Sequence, residues 1–168
     1  MTDGPANLTG RRPAGYKPGA GFSLMFRDTI KKLVDRLEGG VGGVLMGFDG
    51  ITVDSYARAG VEGIADIQTI GLEFAHLLSQ VRRTADSLNI GLTRELAFRT
   101  DRLTVLVQNL NKNRDYFVAC AFLSPGDGST NADGDDEPRG SAMSRGGEKL
   151  GRARYLMRIT APRIEAEL

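Results

Sequence analysis

Few side chains in this sequence are of the kinds that carry out chemistry, and their spacing isolates each one. Among 168 residues there is one histidine, His76, and one cysteine, Cys120. A single cysteine permits neither an internal disulfide nor a multi-cysteine zinc cluster. Set in the apolar run YFVACAFL, it reads as a small buried hydrophobe. His76 falls on the polar face of a helical stretch, so a histidine-centred triad or multi-histidine metal site would have to grow around a solvated residue. The glycines of GGVGGVLMG suggest a phosphate cradle, but no Gly-Lys-Ser/Thr follows and they lie inside a strand pattern, which excludes a P-loop. Asp127, Ser129, Asn131 and Asp133 have some of the rhythm of a calcium loop, yet no register supplies its closing glutamate. No spacing forces two carboxylates together on an apolar surface. The expectation is a protein with no catalytic residues, metal or cofactor, which is not an enzyme and acts by binding.

The elements that would position a binding surface are legible from periodicity. The stretch Val61–Leu88 reads as one long helix, roughly 42 Å at 1.5 Å per residue. Ile64, Ile67, Gly71, Phe74, Leu78, Val81, Ala85 and Leu88 form an apolar seam of period about 3.5. Ile70 and Leu77 widen it on one flank and Ala75 on the other. Asp66, Thr69, Glu73, His76, Gln80, Arg83 and Ser87 form the opposite, wet face. So long and so broadly apolar a helix outreaches the strands around it, and part of its apolar surface is expected to meet another subunit.

Before it, Phe22–Leu37 repeats at helical spacing, with Ser23 to cap it and Gly39-Gly40 to end it. Val44, Met46 and Phe48 share one face of a strand and Gly43, Leu45 and Gly47 the other, where glycines allow a helix to approach closely. Asp49-Gly50 signals a hairpin returning through Ile51–Tyr56. After the long helix come strand patterns at Leu92–Arg99, Leu103–Leu110 and Tyr116–Leu123. The last is apolar on both faces, as a central strand covered on both sides should be. Gly146–Leu168 resumes helical periodicity, with Pro162 expected to bend or interrupt it. The fold class that follows is α+β: an α-β-β-α-β-β-β-α sandwich with a five-stranded antiparallel sheet and helices on both faces.

Residues 1–21 are rich in glycine and proline and read as a disordered leader. The segment 124–145, SPGDGSTNADGDDEPRGSAMSR, reads as a flexible acidic insertion in a domain spanning 22–168. Twenty-two Lys and Arg against twenty-one Asp and Glu leave no basic excess to suit a nucleic acid or an anionic membrane surface. No run of eighteen apolar residues is present to span a bilayer. No apolar core follows Arg11-Arg12 to make a secretory signal, so the cytoplasm is the expected compartment.

The element order and certain residues together resemble the Roadblock/LC7 family, over about Phe22–Leu168 apart from the 124–145 insertion. The resemblance rests on Gly42-Gly43-Val44-Leu45-Met46-Gly47-Phe48-Asp49-Gly50 in the first hairpin, on the long central helix, and on Leu150-Gly151-Arg152-Ala153-Arg154-Tyr155 opening the last helix. Bacterial Roadblock proteins that regulate Ras-like GTPases are the nearest in kind, and the fold so implied is profilin-like. The resemblance implies a homodimer, in which central helices pair antiparallel and the strand at Leu92–Arg99 joins its mate across the two-fold axis. Ile64, Ile67, Phe74, Leu78, Val81, Arg94 and Leu96 would then form the interface, with Arg94, Glu95 and Arg99 pairing across the axis. It also implies a platform for a small Ras-like GTPase at Asp66, Thr69, Glu73, His76, Gln80 and Arg83, with Arg82 and Arg83 as candidate fingers toward a nucleotide. The other reading is a non-enzymatic scaffold that uses the same platform to assemble other cytoplasmic proteins.

Overall fold

The computed structural model describes residues 22–61, 66–124 and 140–168. The expected leader, most of the acidic insertion and Ile64 lie outside the described residues. Eight elements follow in the expected order: α1 (Phe22–Arg36), β1 (Gly40–Gly47), β2 (Thr52–Ala57), α2 (Ile67–Leu88), β3 (Glu95–Arg99), β4 (Leu103–Asn109), β5 (Tyr116–Leu123) and α3 (Gly140–Glu167). The strands form one antiparallel sheet in the order β2-β1-β5-β4-β3. The α+β sandwich read from the sequence is the fold observed.

The double-faced apolar strands lie in the middle of the sheet, because only there can both faces leave water. Along β5, Val118, Cys120 and Phe122 point into one core with α1 and α3. Phe117, Ala119 and Ala121 point into a second core beneath α2. Cys120 is fully buried, and desolvation pushes its thiol up to about 12, so it acts as a core hydrophobe rather than a nucleophile. Two glycines set the helix-to-sheet distances. A Cβ at Gly43 would stand 2.8 Å from Ile30 Cγ2 of α1, and one at Gly71 would stand 2.9 Å from Met46 Cε beneath α2. The hairpin signal at Asp49-Gly50 is also realised. The Gly47 amide donates to the Ile51 carbonyl at 2.9 Å, and the Asp49 carboxylate accepts from the Ile51 amide at 3.0 Å.

Several boundaries differ from the sequence expectation. Helix α2 begins at Ile67, behind Asp66 as N-cap, instead of at Val61, and its 22 residues span about 33 Å. It ends at Asn89, whose left-handed backbone lets the Asn89 and Ile90 amides reach the Asp86 and Ala85 carbonyls. Strand β3 starts at Glu95, three residues after Leu92, since the chain must first turn from the helix end to the sheet edge. Helix α3 starts at Gly140 rather than Gly146 and runs unbroken past Pro162. Pro162 and Arg158 are both exposed, so the Arg158 carbonyl left without its helical partner can turn to water instead.

Candidate functional site: the outer face and flanks of the central helix

Among the described residues helix α2 lies alone on its side of the sheet, and it presents four distinct surfaces, an inner side, an outer face and two flanks. The one turned inward carries Ile67, Gly71, Phe74, Ala75, Leu78 and Ala85. Of the residues expected at a subunit interface, Ile67, Phe74 and Leu78 are thus spent inside the protomer, and Leu78 is 0% exposed. Val81 and Leu96 are half-buried, and Arg94 is exposed just before β3. The period-3.5 seam is the one the sheet itself covers, Ile67 and Leu78 included.

What the sheet does not cover is the next ridge along. Ile70, Leu77, Val81 and Leu88 recur on one flank of α2 at helical spacing. Leu77 is 39% and Leu88 is 63% exposed, while Ile70 and Val81 are half-buried. Phe98 of β3, 49% exposed, stands beside this ridge and meets Phe74 edge-on at 5.9 Å between ring centres. Beyond it, β3 is the open edge of the sheet. The widening of the seam by Ile70 and Leu77 is the sequence signal for this ridge. Phe98 has none, because its place beside α2 depends on strand order.

Two of the charges expected to pair across a two-fold axis are engaged within the protomer. The Glu95 carboxylate accepts from Arg154 Nε of α3 at 2.6 Å, and the Arg99 guanidinium lies against the backbone of Gly146. Alternate residues of β3 point to opposite faces, so Leu96 and Phe98 face α2 while Glu95 and Arg99 face α3.

The outer face carries all six residues that the sequence suggested for a platform, each exposed. They divide into two groups. Asp66 caps the helix, accepting from the Gln68 and Thr69 amides at 3.2 and 3.3 Å and from the Thr69 hydroxyl at 2.6 Å. The Thr69 hydroxyl and then the Gln68 amide hold the Asp66 carboxyl below its ordinary value of 3.8. A carboxyl depressed on folding adds stability above its unfolded pKa, and that contribution is lost as pH falls through the folded value. Asp66→Ala should therefore lower Tm by a few degrees at pH 7 and by less near pH 3. An equal loss at both pH values, followed by thermal circular dichroism, would show that the cap is not the cause.

Glu73, His76, Gln80 and Arg83 are different: their side chains make no hydrogen bond or ion pair among the described residues. Arg82, considered above as a finger, does not share this face. Its guanidinium sits 4.4 Å above the Phe48 ring and donates to the Arg114 carbonyl at 3.3 Å, on the hairpin side of the helix. Gln68 likewise turns to that side and donates to the Ser55 hydroxyl. Leu72, 42% exposed, lies there beside Gly50 and was not marked by the seam. Among the described residues no His, Cys, Asp or Glu trio could hold a metal ion, and no helix is long and apolar enough to cross a membrane.

No family model matches the sequence, and no curated protein does. Among solved structures, the chain is similar to MglC from Myxococcus xanthus, with 29% identity, 85% of this chain and 98% of that chain covered, and a TM-score of 0.49. A structure described as MglB with tetrameric arrangement is 14% identical, with 94% of this chain and 100% of that chain covered and a TM-score of 0.56. A Roadblock/LC7 domain from Streptomyces avermitilis is 15% identical, with 77% and 95% covered and a TM-score of 0.47.

Proposed function

We propose that this chain, a protein of the Roadblock/LC7 fold, is a homodimeric regulator or adaptor that binds a small Ras-like GTPase on the outer face of its paired central helices. The observation that carries the reading is the division of labour around α2. One side closes the core, one flank is an unburied apolar ridge next to an open strand edge, and the outer face is a row of uncommitted polar groups.

Apolar flank and open edge together suit an isologous contact, in which ridge meets ridge and each β3 extends its partner's sheet. Antiparallel helices would then bring Glu73 of each copy toward the Arg83 end of the other, giving a surface of alternating sign that orients a ligand. The Ras-like GTPase as partner follows from the family resemblance of the Gly42–Gly50 hairpin and the Leu150–Tyr155 run. Any stimulation of hydrolysis would act by positioning the GTPase's own groups, with Arg83 the one arginine of the outer face free to reach out.

Glu73→Ala combined with Arg83→Ala tests this. Exposed charges with no partner contribute little to folding, so Tm should be unchanged. Loss of an arginine at the heart of an interface should cost roughly 2 kcal/mol or more, or about thirtyfold in Kd, measured calorimetrically against candidate GTPases. Unaltered binding by the folded double variant would move the partner site off α2. Equal affinity for the GDP-bound and GTP-analogue-bound forms would make the protein a scaffold instead of a regulator.

A further inference from the structure

We propose that a cleft at the C-terminal end of α2 binds an organic phosphate, its phosphate held by Arg94 and Arg114 beside the pinned guanidinium of Arg82. The cleft, of about 410 Å³, opens between the last turns of α2, the approach to β3 and the β4–β5 loop. That size is within the range of small-ligand sites. It shares no residue with the outer face of α2, and it does not depend on the proposed GTPase partner.

Three arginines, Arg82, Arg94 and Arg114, are among the residues that line the cleft, against one acidic residue, Asp86. The lining therefore carries a net of two positive charges. None of the three arginines is ion-paired among the described residues. Glu165, which reaches the rim of the cleft at Asn111, already accepts from the amides of Asn111 and Lys112. Like charges gathered in one concave place repel one another, and a bound anion relieves that cost.

The walls that carry these groups are held in place by hydrogen bonds. Arg82 joins α2 to the β4–β5 loop through the Arg114 carbonyl, and stacking on Phe48 fixes it. On the opposite side the Asn109 amide donates to the Arg94 carbonyl at 3.0 Å, and its carboxamide donates to the Thr93 carbonyl at 2.8 Å. The basic groups are all arginines, whose planar forks match the oxygens of phosphate better than lysine does. Ala85, Leu92 and Leu110 complete the lining with apolar surface, which a bare inorganic ion would leave wet. The ligand that satisfies both parts carries a phosphate on an organic body.

The experiment is titration of the full isotope-labelled chain with adenosine monophosphate and with inorganic phosphate at constant ionic strength, followed by amide NMR. Saturable shifts are expected at residues 91–94 and 109–114, with adenosine monophosphate at least fivefold tighter than inorganic phosphate. Arg114→Gln and, separately, Arg94→Gln should each weaken it at least tenfold with unchanged Tm. Arg152→Gln, an exposed basic position on α3, should have no effect. Absence of saturable shifts would overturn the site, as would an equal loss on Arg152→Gln, which would mean general charge attraction. Equal affinity for the two probes would overturn the organic part of the proposal.

Discussion

Leu78→Asp should abolish the folded protomer, leaving no cooperative thermal transition and no near-ultraviolet circular dichroism. Leu78 is 0% exposed and belongs to the core with Val44, Met46, Val105, Val107 and Phe117. A carboxylate there has no cationic partner within that apolar cluster and would be desolvated at a cost of several kcal/mol, on the order of the whole stability of a domain. Leu78→Ala isolates the packing contribution and should lower stability by about 2–5 kcal/mol in urea unfolding, as cavities under a buried leucine do. A folded, soluble Leu78→Asp monomer would contradict this, since it would mean that Leu78 faces a partner subunit and not the sheet.

The proposed dimer should instead yield to Leu77→Asp combined with Phe98→Asp. Both side chains lie at the ridge beside the open β3 edge, and neither fills the core. Losing the Phe74–Phe98 ring contact should cost the protomer about 1 kcal/mol, which leaves it folded. In a paired ridge the same substitutions place four carboxylates in an apolar contact. Association should weaken by at least about a hundredfold, as loss of interface anchors typically does. Light scattering should give twice the chain mass for the parent protein and the single mass for the double variant, both with cooperative melting. A double variant that remains a dimer would remove this flank from the interface. A parent protein that is monomeric at every concentration would remove the homodimer itself.

Leu77 and Leu78 are adjacent on one helix, yet substituting them is expected to have opposite outcomes, and that contrast separates local from tertiary information. The seam at Ile67, Gly71, Phe74 and Leu78 is a local pattern, since residues three and four apart share a helix face whatever lies beyond it. Periodicity therefore finds the buried side of α2. It cannot say where the covered arc stops, because the apolar stripe is broader than one contact and the sheet's lateral position decides which ridge stays bare. The result is that Leu77 remains open while Leu78 is sealed. Asp66 shows the same limit at the helix start. As an acid at period on the wet face it looks like part of a binding row, and only the position of the first turn makes it a cap.

By itself the sequence determined the element order, the hairpin at Asp49-Gly50, the central place of the apolar strand Tyr116–Leu123, and the helix with one wet face. Each of these depends on interactions between residues close along the chain, or on burial that one strand's own composition demands. Tertiary structure alone decided the pairing of Glu95 with Arg154, 59 residues away, the meeting of Phe98 with Phe74, and the gathering of Arg82, Arg94 and Arg114 around one cleft. Those partners share no period. They meet because the strand order β2-β1-β5-β4-β3 places β3 at an edge, between α2 on one face and α3 on the other. Strand order is set by long-range pairing, and no short stretch of sequence carries it.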